Sequence, residues 1–481
     1  MTLRVLSVAS EAFPLIKTGG LADVVGALPA ALAPHDVALT TLIPGYPAVM
    51  TALQTGQILH RYSDLLGVEA RLVGGNAGGL DVIVLDAPSL FARGGGLYAD
   101  EDGKAWKDNW QRFAALGRAG ADIARGEATE LRPDLLQAHD WQAAMAAAYL
   151  RYGGGGVPSI VTIHNMAFQG WFPAEVFAAL GLPQEAYGID GVEYFGGVGF
   201  LKAGLQAADA ITTVSPTYAE QIREPEFAAG LEGLIAARRG RVFGIVNGID
   251  TEVWNPGSDG DLAAPYDSEA LQKRIHNRRA VQQKFGLIPG SGPLFCVVSR
   301  LTVQKGMDVL ADCAGALVGL GARLAVLGSG DAEVEAAFTA AAARYPGRIA
   351  VRIGYDEALS HLLQGGADAI LIPSRFEPCG LTQLYAMRYG SVPIAARTGG
   401  LADTIVDATE ETMADGTATG FLFDDVTEEG LTEVLARAVD VFARRAAWQR
   451  LQRRGMQTDV SWHQSGARYA QLYKRLADGA A

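Results

Sequence analysis

Cysteine is scarce in this chain. Only Cys296, Cys313 and Cys379 occur in 481 residues, an odd number at wide spacing. That pattern suits neither a disulfide framework nor a zinc knuckle, and it points to a reducing compartment, the cytoplasm. Charge is also thin, at 19% of residues against ~25% in an average soluble protein. Hydrophobic residues reach 49%, so large cores can form and extended disorder is excluded. Long apolar runs are missing as well: the stretch 311–328 is interrupted by Asp312 and Arg323, and no membrane span is expected. Glu11 ends a short apolar run at 3–9 that has no basic region before it, so no secretory leader is expected either. A basic excess is absent, with 40 Lys+Arg against 53 Asp+Glu and a formal charge of -13. Nucleic acid and anionic membranes are therefore disfavoured as partners.

What the chain does have is length for two or three domains and 59 glycines set between apolar runs, as in a protein with many tight strand-to-helix turns. Buried strands are predicted at 4–8, 81–85, 159–163, 210–214, 242–246, 294–298, 324–327, 349–353, 369–372 and 392–395. Ala-rich helical stretches at 110–125, 142–152, 309–320 and 334–345 alternate with them, the pattern of an α/β fold with open parallel sheets. The linker chemistry of Trp254-Asn255-Pro256-Gly257-Ser258-Asp259-Gly260-Asp261 divides the strands into two groups. The expected organisation is a first domain at 1–252, a hinge at 253–265 and a second domain at 266–460. A final helical segment at 461–477, with Trp462, Tyr469, Leu472, Tyr473 and Leu476, is expected to pack back on the first domain.

Lys17-Thr18-Gly19-Gly20 precedes a helix. Its glycines let a ligand approach the backbone, the helix end offers free N–H groups, and Lys17 adds a mobile charge, so the guest is an anion. A tight turn with a solvated lysine is the alternative. The loop returns as Arg397-Thr398-Gly399-Gly400, one loop solution used twice. No Gly-x4-Gly-Lys-Ser/Thr loop exists, and Gly328-Ser329-Gly330 matches only part of a dinucleotide fingerprint. Arg300 and Lys305 follow the strand at 294–298 at its carboxyl end, where a guanidinium fork and a point charge suit a phosphate.

Glu377 lies in a second strand-end loop, Glu377-Pro378-Cys379-Gly380-Leu381-Thr382, ahead of a helix, where a carboxylate suits sugar hydroxyls. Cys379 reads as a packing residue with no catalytic part, since no activating histidine accompanies it. His139-Asp140-Trp141 and Ile163-His164-Asn165 supply polar groups at two further strand ends. Tyr98, Trp171 and Phe172 offer rings to stack on sugars or to pack. Asp100-Glu101-Asp102 and Asp259-Gly260-Asp261 read as solvated acidic turns rather than metal ligands.

These segments, together with Asn247-Gly248-Ile249-Asp250 and Trp254-Asn255-Pro256, occur in one order along the whole chain, and in that combination they resemble the bacterial glycogen synthase and starch synthase family. The resemblance implies a GT-B architecture, two Rossmann-like domains facing each other across a deep cleft. It also implies a retaining transfer of glucose from ADP-glucose to the nonreducing end of an α-1,4-glucan, glycogen or a maltooligosaccharide. Lys17 matches the family's donor-binding lysine, Arg300 and Lys305 its diphosphate clamp, and Glu377 its glucose-binding carboxylate. His164 matches a residue lining the glucose site, Asp140 a polar residue near the acceptor, Asn247 another cleft residue and Tyr355 the adenine-stacking aromatic. Gly19, Gly20, Tyr98, Asn165, Cys379, Gly380, Leu381 and Thr382 complete the expected substrate-binding set. Met166-Ala167-Phe168 departs from the more usual Leu-Ala-Tyr. No cofactor and no divalent metal are expected. The rival readings are a UDP-sugar-dependent transferase or epimerase of the same architecture, and a glucan-binding protein without turnover.

Overall fold

The computed structural model describes residues 2–479. The chain divides into two compact units: residues 1–247 with 462–481, and residues 248–461.

In the first unit the strands are β1 (Leu3–Val8), β2 (Val37–Pro44), β3 (Leu53–Tyr62), β4 (Ala70–Ala77), β5 (Leu80–Asp86), β6 (Leu135–His139), β7 (Ser159–Ile163), β8 (Trp171–Pro173), β9 (Glu193–Tyr194), β10 (Gly197–Gly199), β11 (Ala210–Thr213) and β12 (Val242–Gly244). Nine form one sheet in the order β12-β11-β7-β6-β1-β2-β5-β4-β3, and β8, β10 and β9 form a small antiparallel sheet. From β12 to β5 every pairing is parallel; β4 and β3 are added antiparallel. The inner parallel strands β6, β7 and β11 are buried at every position, so aliphatic residues can occupy both of their faces, although Gln137, His139, Ser159, Thr162, Thr212 and Thr213 sit among them.

The last helix, Trp462–Ala477, belongs to this unit. Its Trp462, Tyr469, Leu472, Tyr473 and Leu476 join a core with Val5, Val24, Leu28, Leu39, Leu135 and Ile160. Tyr473 donates its hydroxyl to Oε1 of Gln137 at 2.5 Å. Gln137 in turn donates to Thr162 at 2.8 Å, and the Thr162 and Thr212 hydroxyls share a bond of 2.8 Å. A buried polar chain thus runs from the last helix across β6, β7 and β11, each member satisfied by its neighbour.

The second unit holds β13 (Leu294–Val298), β14 (Arg323–Gly328), β15 (Ile349–Ile353), β16 (Ala369–Ile372), β17 (Val392–Ala396) and β18 (Phe421–Phe423), all parallel in the order β15-β14-β13-β16-β17-β18. Apolar clusters cover both faces of the sheet. The helix predicted over 309–320 is two, Met307–Asp312 and Ala314–Gly319, parted at Cys313 where ψ opens to -1°. No helix among the described residues is long and apolar enough to cross a membrane.

The stretch read as a hinge behaves differently from a free linker. Trp254 is buried and stacks on His361, with ring centroids 3.9 Å apart, and on Tyr385, 3.7 Å apart. Leu262 and Tyr266 enter the same core. Asp259, expected as a solvated turn residue, turns its side chain inward instead: the carboxylate accepts from Tyr389 at 2.5 Å and lies 2.8 Å from His361 Nδ1. A carboxylate that accepts several hydrogen bonds tolerates burial, which the local Asp-Gly-Asp composition does not reveal. Asp100-Glu101-Asp102 does form a turn, with Asp100 accepting from the backbone N–H groups of Asp102 and Lys104.

Candidate active site

Open parallel sheets offer ligands the carboxyl ends of their strands, where helix N-termini and loops converge. In the first unit the candidate residues follow β1 (Lys17, Gly19, Gly20), β5 (Tyr98), β6 (Asp140), β7 (His164, Asn165) and β12 (Asn247), strands that all run the same way. Gly20 opens the helix Gly20–Leu32, and a side chain at Gly19 would meet nothing within 4 Å. Lys17 is exposed and pairs with Asp23 at 2.7 Å.

Glu11, which sequence reasoning treated only as an interruption, organises this loop. Its buried carboxylate accepts from the backbone N–H of Thr18 at 2.5 Å, from the Thr18 hydroxyl at 2.6 Å and from the Tyr98 hydroxyl. The signal available was a carboxylate three residues beyond a buried strand. Tyr98 is held by Glu11 and Ser10 and lies beside Phe113 and Trp141 rather than standing free. Phe172 likewise packs against Trp141 and Phe200.

Asp140 starts the helix Asp140–Tyr152 with φ +53°, a left-handed backbone that Asp tolerates better than most residues. Its buried carboxylate accepts the backbone N–H of His164 at 2.7 Å. Burial raises its pKa to about 7, against the lowering effect of the His164 and Asn165 backbone bonds. Asn165 accepts the N–H of Ala167 and shapes the same loop. His164 is held neutral, burial lowering its pKa to about 3. The Oδ1 of Asn247 is buried with no partner among the described residues.

In the second unit the candidates follow β13 (Arg300, Lys305), β15 (Tyr355) and β16 (Glu377 to Thr382). The loop after β13 turns sharply at Gly306, φ +67°, where a Cβ would stand 1.9 Å from the Pro373 carbonyl oxygen; only glycine lets these two loops approach. That approach brings Lys305 Nζ to 2.6 Å from Glu377 Oε2, and Ser374 donates to the same oxygen at 2.9 Å. Arg300 is exposed and has no protein partner among the described residues. Tyr355 is 73% exposed. Cys379 is buried and its carbonyl accepts from Gln383, as does that of Gly380, while Thr382 opens the helix Thr382–Tyr389 beside Leu381.

The two Gly-Gly loops differ in use. Gly400 donates its N–H to the carbonyls of Glu377 and Pro378, and a Cβ at Gly399 would lie 2.0 Å from the Glu377 carbonyl oxygen. The second loop is filled by the chain itself, whereas the space beside Gly19 is open.

Residues 4–237 match the family model described as starch synthase catalytic domain, and residues 278–453 match glycosyl transferases group 1. The chain is 58% identical over 480 residues to a glycogen synthase of Novosphingobium aromaticivorans, with 99% of each chain covered. It belongs to the bacterial glycogen synthase family. A second member, the glycogen synthase of Mesorhizobium japonicum, is 57% identical over 475 residues, covering 98% of this chain and 99% of that one. Among solved structures, the catalytic domain of starch synthase IV from Arabidopsis thaliana, bound to ADP and acarbose, matches at a TM-score of 0.87 and 30% identity, covering 99% of this chain and 100% of that one. A member of this family is a glycosyltransferase, and its two α/β domains are those of the GT-B fold.

Proposed function

We propose that the protein transfers glucose from ADP-glucose to the nonreducing end of an α-1,4-glucan, with retention of configuration and release of ADP. The observation that carries this reading is the loop pair of the second unit, where an unpartnered Arg300 and a Lys305–Glu377 contact lie at the carboxyl ends of adjacent strands. A sugar diphosphate needs cations for its phosphates and a carboxylate for its hydroxyls, and both are present within one loop cluster. The ammonium of Lys305 has three donors, so it can hold Glu377 and a phosphate oxygen together.

As the bond between the anomeric carbon and the phosphate oxygen breaks, negative charge grows on the diphosphate, and Arg300, Lys305 and the helix N-terminus at Thr382 stabilise it. The leaving phosphate oxygen takes the proton of the acceptor hydroxyl as that oxygen bonds to the anomeric carbon on the same face. Glu377 holds glucose hydroxyls through this change, and the His164 backbone carbonyl stabilises positive charge on the sugar. Lys17 contributes a further cation, Tyr355 a ring for the adenine, and Tyr98, Asp140, Asn165 and Asn247 polar or aromatic groups on the acceptor side. Buried free thiols at Cys296, Cys313 and Cys379 fit a cytoplasmic enzyme.

The test is glucosyl transfer to a maltooligosaccharide from ADP-glucose and from UDP-glucose, before and after exhaustive EDTA treatment. Faster turnover of ADP-glucose that survives chelation, and falls ~10²–10³-fold in Arg300→Ala and in Lys305→Ala, is expected. Preference for UDP-glucose would overturn the donor, activity restored only by magnesium or manganese would overturn the cation clamp, and no turnover with either donor would favour a glucan-binding protein.

A further inference from the structure

His139 ends β6, and β6 pairs with β7 so that His139 lies opposite Thr162, two residues before His164. The register sets the two imidazoles against each other, ring centroids 5.3 Å apart and planes inclined by 30°. His139 Nδ1 and His164 Nε2 are 3.0 Å apart, a hydrogen bond between two ring nitrogens. Both rings are held neutral by burial, and His139 is lowered well below the ordinary histidine value, with His164 beside it adding to the effect. Each ring therefore carries one proton, and only one proton sits between them.

Two arrangements satisfy that contact. If His164 donates from Nε2, His139 must carry its own proton on Nε2. That atom is buried and has no partner among the described residues, so an N–H would be stranded there. If His139 donates from Nδ1, its Nε2 is only an unfilled lone pair, a lesser penalty, since stranded buried N–H groups are the rarer of the two in folded proteins. The second arrangement fixes the proton of His164 on Nδ1, for which the described residues provide no protein acceptor. The backbone N–H of the same residue is already held by Asp140 at 2.7 Å.

We propose that His139 is a positioning residue for transfer: by donating its Nδ1–H to His164 it fixes the His164 tautomer and turns that ring into a hydrogen-bond donor toward a hydroxyl oxygen of the glucosyl group. Without it His164 can present a bare Nδ1, which accepts instead. The chemical consequence for the donor sugar rests on the proposed function and on the His164 ring lining the glucose site as the family resemblance implies; the tautomer itself does not.

Long-range ¹H–¹⁵N correlation spectra of the full-length protein labelled with ¹⁵N-histidine report the tautomers directly. The expected result is a protonated Nδ1 and an unprotonated Nε2 for both His139 and His164, assigned by the signals lost in His139→Asn and in His164→Gln. The Nε2–H form of His164 in the wild-type spectrum overturns the proposal whether or not any variant folds. His139→Leu removes the donor, and a mixed or reversed His164 tautomer is expected together with a kcat lower by about tenfold or more, with the KM for ADP-glucose little changed. His139→Asn keeps an amide N–H near the position of Nδ1 and is expected to retain the His164 tautomer and most of kcat. Loss of kcat in His139→Leu with His164 still protonated on Nδ1 would assign the loss to packing and overturn the positioning role. A wild-type protein that shows the expected tautomers but does not turn over ADP-glucose would instead overturn the proposed function.

Discussion

At the scale of single residues, the groups proposed to carry chemistry stood out in the sequence, because Arg300, Lys305, Glu377 and His164 are polar side chains in the loops that follow apolar strands. Their partners were not. Glu11 meets Tyr98 and Asp259 meets His361 across 87 and 102 positions, separations that no local pattern encodes. Two predictions belong here. Lys305 and Glu377 keep only 16% and 11% of their side-chain surface exposed, so Lys305→Ala leaves a mostly buried carboxylate without its cation. It should cost about 1–3 kcal/mol in a denaturant titration, less than the ~3–5 of a fully buried pair. Arg300→Ala removes an exposed side chain with no partner among the described residues and should leave the same titration within about 0.5 kcal/mol, although both variants should lose transfer. The other prediction concerns Asp140, whose pKa is raised to about 7 in the fold, chiefly by burial. Between its unfolded value near 4 and about 7, the unfolded chain has already released the proton that the native one retains, so this residue's stabilising contribution is lost as pH rises through that window. Asp140→Asn tolerates the same left-handed backbone and does not titrate. Its stability relative to wild type should climb from pH 5 to 7 and level off above, and a flat difference across that range in guanidinium titrations would refute the assignment.

Among elements, most parallel strands were legible because both of their faces are covered and aliphatic residues recur without alternation, but β2, interrupted by Thr40 and Thr41, and the three-residue β18 were not marked. Edge strands carry no such mark. β3 is exposed along most of its length and reads as a polar segment, and β8 to β10 have only two or three residues each. The repeated Gly-Gly loop shows how one sequence solution serves two physical purposes. Gly399→Ala places a side chain at φ +44° and 2.0 Å from the Glu377 carbonyl oxygen, and should destabilise the protein by about 1–3 kcal/mol while displacing the Glu377 loop. Gly19 has an extended backbone, φ -159°, with open space beyond it. Gly19→Ala should therefore leave the unfolding midpoint unchanged and yet slow transfer, if the open space holds the donor as proposed, since the added methyl group meets nothing of the protein within 4 Å. Equal loss of stability in both variants would show that the first loop, like the second, is filled by the protein.

At the scale of the whole molecule, the Pro/Gly/Asp-rich stretch after Trp254 suggested where the chain changes domain but not which side it packs on, because stacking of Trp254 between His361 and Tyr385 depends on residues more than 100 positions away. A chain ending at Ser461 loses Trp462, Tyr469, Leu472, Tyr473 and Leu476, all buried in the first unit. At roughly 1.5–3 kcal/mol for each large apolar side chain, that exceeds much of the ~5–15 kcal/mol by which a folded protein is stable. The first unit should then fail to hold its sheet, read as lost protection of the β6 and β7 amides in hydrogen exchange, while amides of β13 to β17 stay protected. Because the first unit is made from both ends of the chain and the second from the middle, their order of completion reverses their order in the sequence. During synthesis the helix that begins at Trp462 leaves the ribosome after residues 248–461, so the first 247 residues cannot complete their core before the second unit has emerged. During that interval the surface beneath this missing helix, including Val5, Leu39, Leu135 and Ile160, stays open to solvent, and it is there that a nascent chain of this protein most needs a chaperone.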